Sequence, residues 1–176
     1  MLRSHTNYSV SPMMPIVIVD DSREDLTLAL RVFLNCKILN PIRPLHSGKQ
    51  CIDYFEEGAE RLPCVVFLDL MMNPVSGIEV LRKLKDHHAA QGSIFVMLSG
   101  ASDYAMVREG YLLGAATFVV KPLTCEEIMR TFRNLRGVTF KSQEDGHVVG
   151  CAERGKPLVQ SHNEARPPLS VPRATL

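Results

Sequence analysis

The stretch CVVFLDLMMNPVSG, residues 64–77, ends an apolar run with a single carboxylate. A continuous apolar run such as residues 64–68 is typical of a strand that is buried on both faces of a parallel sheet. Asp69 follows directly, and a buried charge is costly unless an opposite charge or hydrogen bonds compensate it. The stretch therefore predicts a central strand that carries Asp69 to a polar site at one edge of a sheet.

Four more short apolar runs lie on either side of this stretch, and amphipathic segments separate them. The predicted strands cover residues 16–19, 41–45, 64–68, 94–98 and 117–120. The predicted helices begin near residues 22, 47, 78, 103 and 124, and several start at a Ser or Thr that can cap a helix. Five strands that alternate with five helices favour an α/β fold with a parallel sheet covered on both faces.

Composition limits the class of protein. The chain has 176 residues, of which 45% are hydrophobic, and its formal net charge is +1. This charge argues against a nucleic-acid or membrane surface as the main partner, and no run approaches the roughly 20 apolar residues of a spanning helix. The five cysteines show no Cys-x-x-Cys pair, so we expect free thiols in a reducing compartment, the cytoplasm; they are Cys36, Cys51, Cys64, Cys125 and Cys151.

The domain organisation follows from where the apolar pattern begins and ends. Residues 1–14 are polar and are predicted to be a flexible N-terminus, and residues 15–137 form one domain. Residues 138–176 are rich in proline and mixed charge without sustained periodicity, so they are predicted to be a disordered tail.

Polar residues follow four of the predicted strands. Asp20 and Asp21 end the first, Asp69 the third, Ser99 the fourth and Lys121 the fifth. Because ligands bind at the carboxyl ends of the strands in such sheets, these side chains should converge. Two carboxylates about 5 Å apart repel by roughly 3 kcal/mol at an effective dielectric near 20, so the cluster requires cations. Lys121 supplies one charge, and an oxygen-only site suits Mg²⁺ as the other.

The same cluster suits phosphoryl transfer. Asp69 is the isolated carboxylate and can act as the nucleophile that becomes an aspartyl phosphate. Mg²⁺ held by the acid pair, together with Lys121 and the Ser99 hydroxyl, would neutralise charge on the phosphoryl oxygens.

Four motifs, taken in order, resemble the signatures of the receiver domain of two-component response regulators, of the stand-alone single-domain type. They are IVIVDDSRED (16–25), VVFLDLMMNPVSG (65–77), VMLSGAS (96–102) and FVVKPL (118–123). The resemblance covers about residues 15–137. It implies a flavodoxin-like, doubly wound (βα)5 fold with a five-stranded parallel sheet in the order 2-1-3-4-5.

The resemblance also implies a role for each site residue. Asp69 matches the phosphoacceptor, Ser99 the switch hydroxyl and Lys121 the phosphate-binding lysine, while Phe118 stands at the aromatic switch position. The implied ligands of Mg²⁺ are Asp20, Asp21, Asp69 and the backbone carbonyl of Met71. A cis bond is implied between Lys121 and Pro122.

The implied partners are proteins. A sensor histidine kinase or a histidine phosphotransfer protein would donate the phosphoryl group, and the face of helix 4, strand 5 and helix 5 would bind a downstream target. The chain would be no enzyme beyond its own phosphorylation and slow self-dephosphorylation. No nucleic-acid or membrane partner is expected, and homodimerisation is left open.

Alternative functions differ in what they require of the site. A haloacid-dehalogenase-like phosphatase needs Asp-x-Asp after the first strand, but Ser22 stands two residues beyond Asp20. A degenerate receiver that acts as a phosphorylation-independent interaction module stays open. Met71 is bulky where the family often has a polar side chain, and Ala101 is small, so the lifetime of the phosphoryl group is not fixed.

Overall fold

A computed structural model of the chain describes residues 13–58, 62–100 and 104–151. Its centre is a five-stranded parallel sheet in the order β2-β1-β3-β4-β5. The strands are β1 Ile16–Val19, β2 Ile42–Leu45, β3 Val65–Asp69, β4 Ile94–Ser99 and β5 Thr117–Val120. The predicted fold class and strand order are thus confirmed.

Five α-helices connect and follow these strands. They are α1 Arg23–Asn35, α2 Gly48–Glu56, α3 Gly77–Leu84, α4 Tyr104–Leu112 and α5 Cys125–Asn134. Four of them begin after a residue whose hydroxyl accepts a backbone N–H of the first turn: Ser22, Ser47, Ser76 and Thr124. Such caps each stabilise a helix by about 1 kcal/mol and fix where it starts. None of the helices in the described part of the chain is long and apolar enough to cross a bilayer.

The alternation of side chains along the strands produces two apolar cores, one on each face of the sheet. The first core joins the sheet to α1 and α5, and its centre is an edge-to-face set of three buried rings, Phe33, Phe67 and Phe132. The second joins the sheet to α2 and α3 through residues such as Leu68 and Leu81. Fully burying one such side chain contributes about 2 kcal/mol, so the sheet is held from both sides.

A β-hairpin follows the predicted domain. Residues Val138–Ser142 (β6) and His147–Cys151 (β7) pair in an antiparallel two-stranded sheet. The prediction of a disordered tail from residue 138 is therefore wrong for residues 138–151. Residues 152–176 and most of the predicted flexible N-terminus, residues 1–12, lie outside the described residues.

The hairpin is attached to the domain by polar and apolar contacts together. Asn40 is 3% exposed, and its amide donates to the carbonyl oxygens of Met14 (2.8 Å) and Val149 (2.7 Å) while its oxygen accepts the Val149 N–H (2.8 Å). Val149 lies in the first core, and Phe140 stacks on Phe132. These contacts stabilise the hairpin on the domain, although the sequence pattern of residues 138–151 does not predict two strands.

The cysteines also depart from expectation. Cys36 and Cys125 form a disulfide between the end of α1 and the start of α5, so the prediction of free thiols is wrong for this pair. The fold brings their Cα atoms to 5.4 Å, a separation at which a disulfide can form. Cys51, Cys64 and Cys151 are thiols.

Candidate phosphoacceptor site

The sheet registers place the predicted residues at one edge. Asp20 follows Val19, which pairs with Leu68, so Asp20 and Asp69 end neighbouring strands. Asp69 pairs with Leu98, and Ser99 is the next residue on β4. Lys121 follows the last residue of β5, and its backbone N–H donates to the Ser99 carbonyl oxygen at 2.9 Å. Convergence at the carboxyl ends of the strands is therefore as predicted.

Lys121 is the cation at the centre of this cluster. Its Nζ lies 2.6 Å from Asp20 and 3.1 Å from Asp69, two carboxylates that are 2% and 4% exposed. A third ion pair, at 3.1 Å, joins it to Asp25 on α1. One ammonium thus bridges acidic groups from three elements of the fold.

The charges and burial shift the acid–base properties of the site. Burial raises the pKa of Asp69 to about 6, although Lys121 opposes the shift; the Asp20 charge adds to it. Burial lowers the pKa of Lys121, but its hydrogen bond to Asp20 and the charges of Asp69 and Asp20 outweigh that effect and raise it overall. Lys121 therefore stays charged, and the charge on Asp69 is only partly compensated.

The donor set fits a divalent cation. One carboxylate oxygen each from Asp20, Asp21 and Asp69 lies within 4.8 Å of the other two. Asp21 is exposed and accepts the Asn73 N–H at 2.9 Å, which orients it toward the loop after β3. Three carboxylates against one lysine leave excess negative charge, and oxygen donors with open positions for water suit Mg²⁺.

The loop after β3 presents Met71 beside the site. The Met71 backbone N–H donates a hydrogen bond to Asp69, which lowers the pKa of that carboxyl, while the Met71 side chain is 57% exposed. An exposed apolar residue therefore follows Asp69 by two positions, with its backbone hydrogen-bonded to the Asp69 carboxylate. The role of the Met71 carbonyl as a metal ligand stays a prediction.

Gly77 sets how closely α3 approaches the site. A Cβ at this position would lie 2.2 Å from the Asp69 carbonyl oxygen, and the Gly77 N–H donates to the Leu70 carbonyl at 3.1 Å. Any side chain would push the start of α3 away from the end of β3. Glycine at this position thus keeps the loop of residues 70–76 folded against the end of β3.

Phe118 lies on β5 against α4. Its ring is partly buried with its centroid 4.9 Å from that of Tyr111, and a Cβ at Gly110 would lie 2.5 Å from its Cζ atom. The absence of a side chain at Gly110 thus provides the room in which the ring sits. The Phe118 ring thus packs against α4, next to Gly110 and Tyr111.

Asp25 is the site residue that sequence reasoning missed. Asp25 is one of two acidic residues in the first turn of α1, where a negative charge interacts favourably with the helix dipole. Its ion pair with Lys121 joins residues 96 positions apart, and no local signal in the sequence indicates such a contact.

Comparison with known proteins agrees with this geometry. The family model described as the response regulator receiver domain matches residues 16–133. The chain is 29% identical over 124 residues to the probable methanogenesis regulatory protein FilR2 of Methanothrix harundinacea, covering 69% of this chain and 80% of that one. It is 31% identical over 139 residues to the transcriptional regulatory protein CpxR of Escherichia coli, covering 78% of this chain and 56% of CpxR.

Other similarities differ in how much of each protein they cover. The phosphate regulon transcriptional regulatory protein PhoB of Rhizobium meliloti is 30% identical over 117 residues, which is 66% of this chain and 50% of PhoB. The chain thus spans about half the length of PhoB and CpxR.

Two solved structures of response regulators resemble the chain at 29% and 25% sequence identity. The bacteriophytochrome response regulator AtBRR has a TM-score of 0.62 at 29% identity and covers 70% of this chain and 92% of its own. RtBRR, another bacteriophytochrome response regulator, has a TM-score of 0.64 at 25% identity and covers 82% and 84%. With the family match over more than half of the chain and the acidic cluster in place, this protein belongs to the response regulator receiver domain family.

Proposed function

We propose that the chain is a phosphoacceptor response regulator in a two-component or phosphorelay pathway, with Asp69 as the residue that is phosphorylated. The observation that carries the proposal is Lys121, whose Nζ contacts both buried carboxylates. Receiver domains interact with histidine kinases or phosphotransfer proteins, and we propose one of these as the donor.

The reaction is an in-line displacement at phosphorus. A carboxylate oxygen of Asp69 forms the new P–O bond, and the bond from phosphorus to the donor's histidine nitrogen breaks, so the imidazole leaves with its electron pair. Asp20, Asp21, Asp69 and the Met71 carbonyl would hold Mg²⁺, which supplies positive charge to the phosphoryl oxygens. We propose that the Lys121 ammonium would pair with a second phosphoryl oxygen and that the Ser99 hydroxyl would donate to a third.

Phosphorylation would then be transmitted to the protein surface. The phosphoryl group adds negative charge beside Ser99 and Lys121, and we propose that Ser99 and Phe118 move inward in response. The surface that would change is that of α4, β5 and α5, where Tyr111, Leu112 and Val120 are exposed apolar residues. We propose that it binds a downstream protein, and homodimerisation through it is a further outcome that sizing of the phosphorylated protein would detect.

Acetyl phosphate with Mg²⁺, followed by intact-mass measurement, tests the proposal. Wild type should gain the mass of one phosphoryl group, and EDTA should abolish the gain. Asp69→Asn should show none, whereas Asp53→Asn, which changes a carboxylate paired with Lys49 on α2, should react as wild type does. No adduct on wild type, or an undiminished adduct on Asp69→Asn, would favour the phosphorylation-independent module instead.

Two finer points need their own measurements. Affinity capture with beryllofluoride-treated and untreated protein would identify a target that binds only the activated form. The cytoplasmic location expected from the sequence stays a prediction, and cell fractionation tests it.

A further inference from the structure

The disulfide lies between two elements that also meet at the phosphoacceptor site. Cys36 directly follows the last residue of α1, and Cys125 is the first residue of α5. Near its other end, α1 carries Asp25, which pairs with Lys121 four residues before Cys125. The segment that connects β5 to α5 is thus held to α1 by an ion pair and by a covalent bond.

The two sulfurs differ in their access to solvent. Cys36 is 4% exposed, whereas Cys125 lies on the surface. An external thiol or disulfide therefore reaches Cys125 first, and Cys36 is positioned to react with it from within the protein. An exposed cysteine beside a second cysteine that can resolve it is the usual arrangement of a reversible redox pair.

Cys51 and Cys64 are poorer targets for an external disulfide than Cys125 is. Cys51 is fully buried, and burial raises the pKa of its thiol to about 12. A hydrogen bond with Cys151 and burial both raise the pKa of Cys64. Because the thiolate is the species that exchanges with disulfides, these two buried thiols react slowly with a disulfide in solution, whereas Cys36 would attack the Cys125 sulfur that lies beside it.

We propose that Cys36 and Cys125 form a reversible redox site, in which oxidation ties α5 to α1 and slows phosphorylation of Asp69, and reduction releases α5. The regulatory half rests on the proposed phosphorylation; the redox pair itself does not. We expect the effect on the reaction to pass through Lys121, because the closed bond restrains the loop that carries Lys121 relative to α1.

The oxidation balances as thiol–disulfide exchange with a low-molecular-weight disulfide such as glutathione disulfide. The Cys125 thiolate attacks one sulfur of that disulfide, forms a mixed disulfide and releases one glutathione thiolate. The Cys36 thiolate then attacks the Cys125 sulfur and releases the second. Each external disulfide is reduced to two thiols, which take up the two protons lost from the cysteines.

Thiol mapping tests the redox pair without reference to phosphorylation. The full chain is equilibrated in glutathione buffers of graded potential, alkylated and digested. We expect a peptide that links Cys36 to Cys125 in oxidising buffer and its loss in reducing buffer. A link between Cys64 and Cys151 in its place, or no link at any potential, would overturn the proposal, as would a bond that no glutathione buffer reduces.

Hydrogen exchange and acetyl phosphate reactivity test the consequence. Amides in the first turn of α5 should exchange more slowly in oxidised than in reduced wild type, and phosphorylation should be slower by at least about fivefold. Cys125→Ser, which changes an exposed side chain, should show neither difference. Cys151→Ala, the matched control in β7, should keep both.

The outcomes separate this proposal from the proposed function. Equal phosphorylation rates in oxidised and reduced wild type would overturn the regulatory half. If wild type gains no phosphoryl group in either state, the proposed function fails, whereas the peptide link and the exchange of α5 still decide whether the redox pair exists.

Discussion

Lys121 contacts Asp20 at 2.6 Å and Asp69 at 3.1 Å, and both carboxylates are nearly inaccessible to water. Removal of the Lys121 charge would leave buried carboxylates without an opposite charge, and an uncompensated buried charge destabilises the folded state. In EDTA, we expect Lys121→Met to lower the free energy of unfolding by about 2 kcal/mol, measured by urea denaturation.

A matched surface lysine provides the control for Lys121. Lys49 pairs with Asp53 at 2.7 Å, but its side chain is 71% exposed. Such pairs contribute little because water screens both charges. Lys49→Met should unfold as wild type does, and an equal loss in both variants would mean that the Lys121 pairs carry no special weight.

Asp69 should make stability depend on pH. Its pKa in the folded protein is about 6, above the ordinary 3.8, so the folded state binds the proton more tightly than the unfolded state. The stabilisation by that proton is complete below the ordinary pKa and is lost as the pH rises through about 6. In EDTA, Asp69→Asn should therefore be more stable than wild type at neutral pH, and the difference should shrink on acidification. A pH-independent difference in melting temperature would contradict this.

Met71 is 57% exposed, and its backbone N–H donates to the Asp69 carboxylate. An apolar side chain there cannot orient a water molecule toward an acyl phosphate, whereas an amide can. Met71→Asn should therefore shorten the lifetime of the aspartyl phosphate severalfold, measured by loss of the mass adduct after the donor is removed. Equal lifetimes would leave Met71 a packing residue.

The residues of the site differ in how well the sequence predicts them. Asp20, Asp69, Ser99 and Lys121 each directly follow or end an apolar run, so the strand pattern alone brings them to one edge. Asp25 lies inside a helix and meets Lys121 only through the fold. Its contact depends on how α1 lies across the sheet, which local patterns do not encode.

At the scale of elements, Asn40 is the polar anchor of the hairpin. It is 3% exposed and makes all three of its described hydrogen bonds to backbone groups of Met14 and Val149. Asn40→Ala leaves those groups unpaired and should cost about 1–3 kcal/mol. Relative to wild type, Asn40→Ala should accelerate hydrogen exchange of the β7 amides more than that of the β3 amides.

Asn35 gives the matched control for Asn40, since it is an exposed asparagine at the end of α1. Asn35→Ala should leave both unfolding and the exchange of β7 unchanged. If Asn40→Ala has no larger effect than Asn35→Ala, the hairpin is held by its apolar contacts alone.

The elements also show why a β-hairpin escaped prediction while five strands did not. The central strands are continuous apolar runs, so the local sequence alone predicts that they are buried. In β6 and β7, Val149 is the one apolar side chain that is fully buried. The hairpin depends on Asn40, 109 residues before Val149, and on backbone bonds between His147 and residues 37–39. Those partners are too distant for periodicity to reveal.

At the scale of the whole molecule, the alternating pattern predicts a covered parallel sheet but not the order of its strands. The order came from the resemblance of four motifs to receiver domains, and the sheet has that order. The link between Cys36 and Cys125 was predicted by neither route, because cysteine spacing without a known fold does not reveal which residues meet.

The end of the hairpin and the acidic cluster lie at opposite ends of the central strands. The Cys151 thiol lies against the carbonyl oxygens of Cys64 and Gly92, which precede β3 and β4. Cys151, the last described residue, is therefore close to the start of these two central strands. Asp69 is the last residue of β3 and lies about 13 Å along the strand from Val65, its first residue. A fluorescent reporter attached to Cys151 would thus lie at the end of the sheet remote from Asp69, whereas one inserted within residues 71–76 would lie beside Asp69.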